Sequence, residues 1–146
     1  MDFRSVRNPL IRLYGHGDLH FITFSCYHRL PFLGDPQARD GFLRILNWVR
    51  LRHQFQLFGY VLMPEHVHLL LSEPLKVTPS TVLQVLKQKV SRELASAREN
   101  VAASRRLVTS AAANGDAPFW QRRFYDFNVW NPAKIKRNWN TCTAIL

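Results

Sequence analysis

Cysteine is nearly absent: Cys26 and Cys142 are the only two in 146 residues. Two thiols make neither a disulfide framework nor a Cys-rich zinc site, and Cys26, inside an apolar run, reads as a small core residue. Long apolar runs are missing as well. No stretch approaches the roughly 18 residues needed to span a bilayer, and no charged-then-apolar signal peptide opens the chain. The expectation is a cytoplasmic protein with no membrane partner. Acidic residues are scarce, ten Asp and Glu against twenty Lys and Arg, which leaves a formal charge of +10. Basic side chains bind phosphates by releasing condensed counterions, so this excess points to a polyanion, nucleic acid first.

What is present suits one folded domain. An apolar content of 47% is enough for a continuous core. Residues 1–17 carry Arg4, Arg7 and Arg12 among polar and turn residues and read as a basic arm. Residues 19–27 are rich in aromatic and β-branched types and predict a strand. Asp35-Pro36 opens a helix to about residue 53, with Phe42, Ile45, Leu46 and Val49 at helical spacing. Residues 55–62 and 66–72 read as a β-hairpin around Met63-Pro64-Glu65. Thr78-Pro79 starts a second helix to about residue 100, with Lys87, Lys89 and Arg92 outside its apolar stripe. The alanine-rich segment 102–117, with Arg105 and Arg106, reads as a surface linker, and residues 119–130 as an aromatic strand. The order β-α-β-β-α-β predicts an α+β fold, a ferredoxin-like antiparallel sheet with helices packed on one face.

Chemistry concentrates at His66 and His68. Residues i and i+2 of a strand share a face, so the two imidazoles project side by side while Val67 points away, a geometry suited to gripping a metal. The same spacing also fits two half-buried polar residues on a sheet. Trp120, Arg122 and Arg123 lie in an aromatic run that suits stacking on bases and pairing with phosphates, or simply core packing. His16, His20, His28 and His53 show no partner spacing and read as structural or exposed. Packing is the default for Tyr14, Tyr27, Tyr60 and Tyr125.

Three stretches in order, Met63-Pro-Glu-His-Val-His-Leu-Leu70-Leu71, Leu86-Lys-Gln-Lys-Val-Ser-Arg92 and Phe119-Trp-Gln-Arg-Arg-Phe-Tyr-Asp126, resemble the single-tyrosine HUH transposases, in particular the REP-associated branch. The resemblance spans about residues 15–132. It implies that His66 and His68 are ligands of a divalent metal, Mg²⁺ or Mn²⁺, and that the partner is a single-stranded DNA hairpin. Lys87, Lys89, Arg92, Trp120, Arg122 and Arg123 would contact that DNA. The implied activity is metal-dependent cleavage and strand transfer through a 5′-phosphotyrosine link. An oligomer is compatible with this and its size is not indicated.

The nucleophile is where the sequence departs from the family. The resemblance implies a tyrosine in a C-terminal segment of the form Tyr-x-x-x-Asn-Pro, and nothing in 131–146 matches it. Tyr125 falls in the preceding strand motif. Trp139 to Leu146 must be encoded as TGG AAY ACN TGY ACN GCN ATH and a leucine codon. Read one base earlier, those bases permit Leu-Glu-Tyr-Met-His-Arg-Asn-Pro. The expectation is therefore a domain over 18–132, an out-of-frame tail over 133–146, and a protein deficient in cleavage; a catalytically silent DNA-binding relic or repressor is the alternative. A metal hydrolase without DNA would leave the charge unexplained. Sequencing the gene across codons 131–146 should reveal that segment in the neighbouring frame, and its absence there would end the frameshift idea.

Overall fold

Alternation and helical periodicity produce the expected elements with small shifts at their ends. The computed structural model describes residues 14, 15, 17–104 and 118–129. Strand β1 (Leu19–Cys26) leads through a 3-10 turn at Tyr27–Arg29 to α1 (Pro36–His53), then to the hairpin β2 (Leu57–Leu62) and β3 (His66–Ser72). Helices α2 (Pro79–Glu93) and α3 (Ala95–Ser104) precede β4 (Trp120–Val129). The expected arm before residue 14, Arg105 and Arg106, Trp130 and the 133–146 tail lie outside the described residues.

The strands form one antiparallel sheet in the order β2-β3-β1-β4. A helical crossover carries the chain from β1 to β2 in the same direction, and β3 returns by the hairpin to fill the gap between them. This is the ferredoxin-like α+β layer that the element order predicts. Ile22, Phe24 and Cys26 of β1 join Val67, Leu69 and Leu71 of β3 in one core with Phe42 and Ile45 of α1 and Leu83 and Leu86 of α2. Fully burying one such Leu or Phe contributes roughly 1.5–3 kcal/mol. Residues between them must point to the other face, where Phe21, Leu70 and Val129 make a second, smaller cluster.

Helix ends follow local chemistry. Pro36 opens α1 after an extended Asp35 that makes no side-chain cap bond, whereas Thr78 caps α2 by accepting from the Thr81 N–H at 3.3 Å. One helix to about residue 100 was expected, but the helix breaks at Leu94 (φ −106°, ψ 22°). The Leu94 side chain is buried in the core, and that anchor fixes the bend.

His20, read from the sequence as structural or exposed, is fully buried on the helix side and bridges two carboxylates. Its Nδ1 lies 2.8 Å from Asp126 Oδ1 and its Nε2 3.1 Å from Glu73 Oε1. The Tyr14 hydroxyl donates to Asp126 Oδ2 at 3.2 Å, and the Gly15 N–H donates to Glu73 at 3.0 Å. Burial alone would lower the His20 pKa, but the hydrogen bonds and charges of Asp126 and Glu73 outweigh it and raise the pKa. For Glu73 burial pushes upward, and the bonds from His20 and the Gly15 N–H bring the pKa below its ordinary value.

The two shifts set opposite pH limits on stability. The His20 contribution is complete below its ordinary pKa of 6.5 and is lost as pH rises through the raised folded value. The Glu73 contribution is present above its ordinary pKa and is lost as pH falls through the lowered one. Urea-unfolding midpoints should therefore be highest between these limits. In His20→Asn the alkaline decline should vanish and stability should drop by about 3 kcal/mol, because the buried Asp126 carboxylate loses its partner. An unchanged alkaline decline in that variant would refute the assignment.

Candidate functional site

Strand β3 starts at the Met63-Pro64-Glu65 turn, which is tied down by backbone bonds: Cys26 N–H donates to Glu65 O at 2.8 Å, and Leu33 N–H to Pro64 O at 3.0 Å. From there alternation sends Val67 into the core and both histidines to the face away from the helices. The rings of His66 and His68 stand 4.8 Å apart at 84°, and the residues are only 4% and 9% exposed. The side-by-side placement read from the sequence is what the strand produces.

Each ring is held through Nδ1. His66 Nδ1 lies 3.1 Å from Glu65 Oε1, and since a carboxylate can only accept, Nδ1 is the donor of that bond and Nε2 is the ring atom left for another partner. His68 Nδ1 lies 2.8 Å from Thr23 Oγ1, and Phe21 stacks on the ring at 5.6 Å. His68 Nε2 is buried without a hydrogen-bond partner. Burial first, and the neighbouring His66 second, push the His68 pKa down to about 4, so its ring is neutral at physiological pH. A neutral imidazole fixed at one nitrogen and unsatisfied at the other fits a metal ligand. Among the described residues no group of three or more His, Cys, Asp or Glu converges, so this pair fits part of a coordination sphere.

The pair opens into a cleft of about 640 Å³ whose rim carries Arg29, Arg122, Arg123 and Tyr125. Adjacent arginines in a regular strand would point to opposite faces. Here β4 bulges: between the pairs Phe24–Phe124 and Cys26–Trp120, residues 121–123 oppose Ser25 alone. The bulge turns both arginines to the same cleft. Arg29 escaped the sequence reading. It follows β1 in a turn where His28 and Arg29 both take left-handed backbone (φ 51° and 53°), a conformation that non-glycine residues adopt at a cost of about 1 kcal/mol or more. The signal available was its place one turn beyond the strand that pairs with the two histidines.

The other expected DNA contacts divide. Lys87, Arg92, Trp120 and Arg122 line a second groove of about 710 Å³ between α2 and the start of β4. Within it Trp120 belongs to the core, 6% exposed and edge-on to Phe24, and its indole N–H donates to Lys87 O at 3.1 Å. It supports the groove and is too buried to stack on a base. Lys87 Nζ donates to Gln121 O at 2.7 Å, and burial lowers its pKa to about 8. Lys89 borders neither cavity; it pairs with Glu93 at 2.7 Å and lies over the Trp48 ring at 4.5 Å. Arg122 touches both cavities and joins them.

A family model described as "Transposase IS200 like" matches residues 15–135. Among solved structures the chain is similar to a REP-associated tyrosine transposase bound to a REP hairpin, at 18% identity and a TM-score of 0.63. That match covers 88% of this chain and 66% of the other, just under two thirds of its length. A candidate transposase from Deinococcus radiodurans R1 is similar at 20% identity and a TM-score of 0.59, covering 90% of this chain and 94% of that one. Both likenesses concern the fold. No curated protein matches.

The state of His68 can be checked directly. In an NMR titration without metal its ring signals should stay constant from pH 8 to pH 5.5 and move only as the pH approaches about 4. Thr23→Val should change the tautomer signature of the His68 ring nitrogens. A midpoint near the ordinary 6.5 would show that the ring is solvated and not held for a ligand.

Proposed function

The chain belongs to the IS200-like transposase family, and from that premise we propose that it binds hairpin-forming single-stranded DNA at the His66–His68 cleft. The observation that carries this reading is the buried, unpartnered Nε2 of His68 beside His66, in a cleft rimmed by three arginines. His66 and His68 would hold the divalent ion, Mg²⁺ or Mn²⁺, through their Nε2 atoms. When bound, that ion supplies stabilisation of the charge that develops on a scissile phosphate. Thr23 and Glu65 fix the ring orientations, and the burial of both rings keeps competing water away. Arg29, Arg122 and Arg123 bind and orient the phosphodiester by charge-assisted hydrogen bonds. Lys87 and Arg92 extend the cationic track along the second groove, and Trp120 holds the Lys87 backbone in place. A structural neighbour is bound to a REP hairpin, which favours a hairpin over an unstructured strand.

Cleavage and strand transfer are the family chemistry, and this chain is deficient in them on our reading. No tyrosine occurs in 131–146, where the nucleophile is expected. On that reading the protein acts as a metal-dependent DNA binder that keeps the phosphate site, with no tyrosine from residues 131–146 to make the covalent link.

One assay addresses both statements. With Mn²⁺ and a labelled single-stranded hairpin, binding should weaken steeply with salt, with a slope reduced by about one in Arg122→Gln and again in Arg123→Gln. No covalent protein–DNA adduct should accumulate. An adduct that disappears in Tyr125→Phe would make Tyr125 the nucleophile and overturn the deficiency. His66→Ala and His68→Ala should each abolish the Mn²⁺-dependent part of the affinity; if neither does, the metal assignment fails.

A further inference from the structure

The strand β4 carries two aromatic rings that the core does not use. Tyr125 and Phe127 are 55% and 50% exposed, although each is large enough to have been buried with profit. Their rings are parallel within 4°, with centroids 6.4 Å apart. Two steps of nucleic-acid stacking at about 3.4 Å each come to nearly the same length. The register fixes where the rings stand. Tyr125 is opposite Thr23, which is opposite His68, so one row across the sheet reads His68, Thr23, Tyr125. The next row reads Leu70, Phe21, Phe127. With strands about 4.8 Å apart, the aromatic pair begins roughly 10 Å from His68 on the same face.

We propose that Tyr125 and Phe127 form a stacking subsite for unpaired bases, next to the phosphate positions at the His66–His68 cleft. This deepens the DNA reading and rests on it. The choice of occupant follows from charge: Tyr125 itself lines the cleft with Arg29, Arg122 and Arg123, so whatever lies on the rings also meets three guanidinium groups. An apolar protein segment would meet those charges with nothing to offset them. A single strand supplies both parts, a π-face for the rings and a phosphate for the arginines, at adjoining points of its backbone. A fully paired duplex keeps its internal base faces covered and cannot use the rings. The subsite therefore selects the unpaired flank of a hairpin over its stem.

Fluorescence anisotropy with two labelled DNAs tests this, one a hairpin with a single-stranded flank and the other the same hairpin with that flank paired. Tyr125→Ala with Phe127→Ala should weaken binding of the flanked hairpin about tenfold or more. The paired version should be bound equally by both proteins. The salt slope should not change, since no phosphate contact is removed. Tyr125→Trp with Phe127→Trp should retain or strengthen the preference for the flank, which a role in packing alone would not give. Equal binding of the flanked hairpin by the wild type and the double-alanine variant, both remaining salt-dependent, would overturn the subsite and leave the DNA reading standing. No DNA binding by the wild type at low salt would overturn both.

Discussion

The antiparallel register of β1 against β3 is the constraint on which the site depends. Thr23 lies opposite His68 and Ser25 opposite His66, and β1 in turn aligns Thr23 with Tyr125 of β4. A slip of one residue would drive both histidines into the core and expose Val67, Leu69 and Leu71. It would also separate Thr23 Oγ1 from the ring that it orients. Two devices hold the register. The core alternation of β1 and β3 makes a slip expensive in apolar surface, and the bond from Cys26 N–H to Glu65 O locks the strand ends together.

Two buried histidine environments on this one sheet illustrate how surroundings decide what a residue can do. His20, on the helix side, has both ring nitrogens engaged by carboxylates, so its charged form is favoured and its role is structural. His68, on the other face, has one nitrogen engaged by a hydroxyl and the other left unsatisfied, and burial favours its neutral form. Burial pushes both pKa values down, and only at His20 do carboxylate partners outweigh it. A proton belongs at the first position. At the second, the same lone pair is free for a cation.

Much of the fold was legible because its signals are local. The cap at Thr78, the proline at the start of α1 and the His-x-His alternation each act within a few residues, and each appears where the residues predict. The break at Leu94 was not legible, because its cause is a tertiary anchor in the core. Nor was the burial of Trp120. Its residue type suits a base platform as well as a core, and only the packing against Phe24 and the bond to Lys87 O decide between them. The His20 network joins residues 106 and 53 positions apart, beyond any spacing argument. Arg29 became visible only when the end of β1 was set beside β3.

The bulge in β4 explains how the cleft can hold its charge. Without it one of Arg122 and Arg123 would face the helices; with it both meet Arg29 around the two histidines. Three guanidinium groups around one cleft repel each other, and a divalent cation at the histidines would add to that repulsion. On the reading proposed above, a phosphodiester between them removes the conflict, since its charge is attracted to every member of the set. Metal and DNA then favour each other's binding, and the coupling is reciprocal by thermodynamic necessity. The neutral state of His68 matters for the same reason. A protonated ring would repel the arginines, so the burial that holds its pKa down to about 4 keeps a further positive charge out of the cleft, as the proposed binding of a cation and a phosphate together requires.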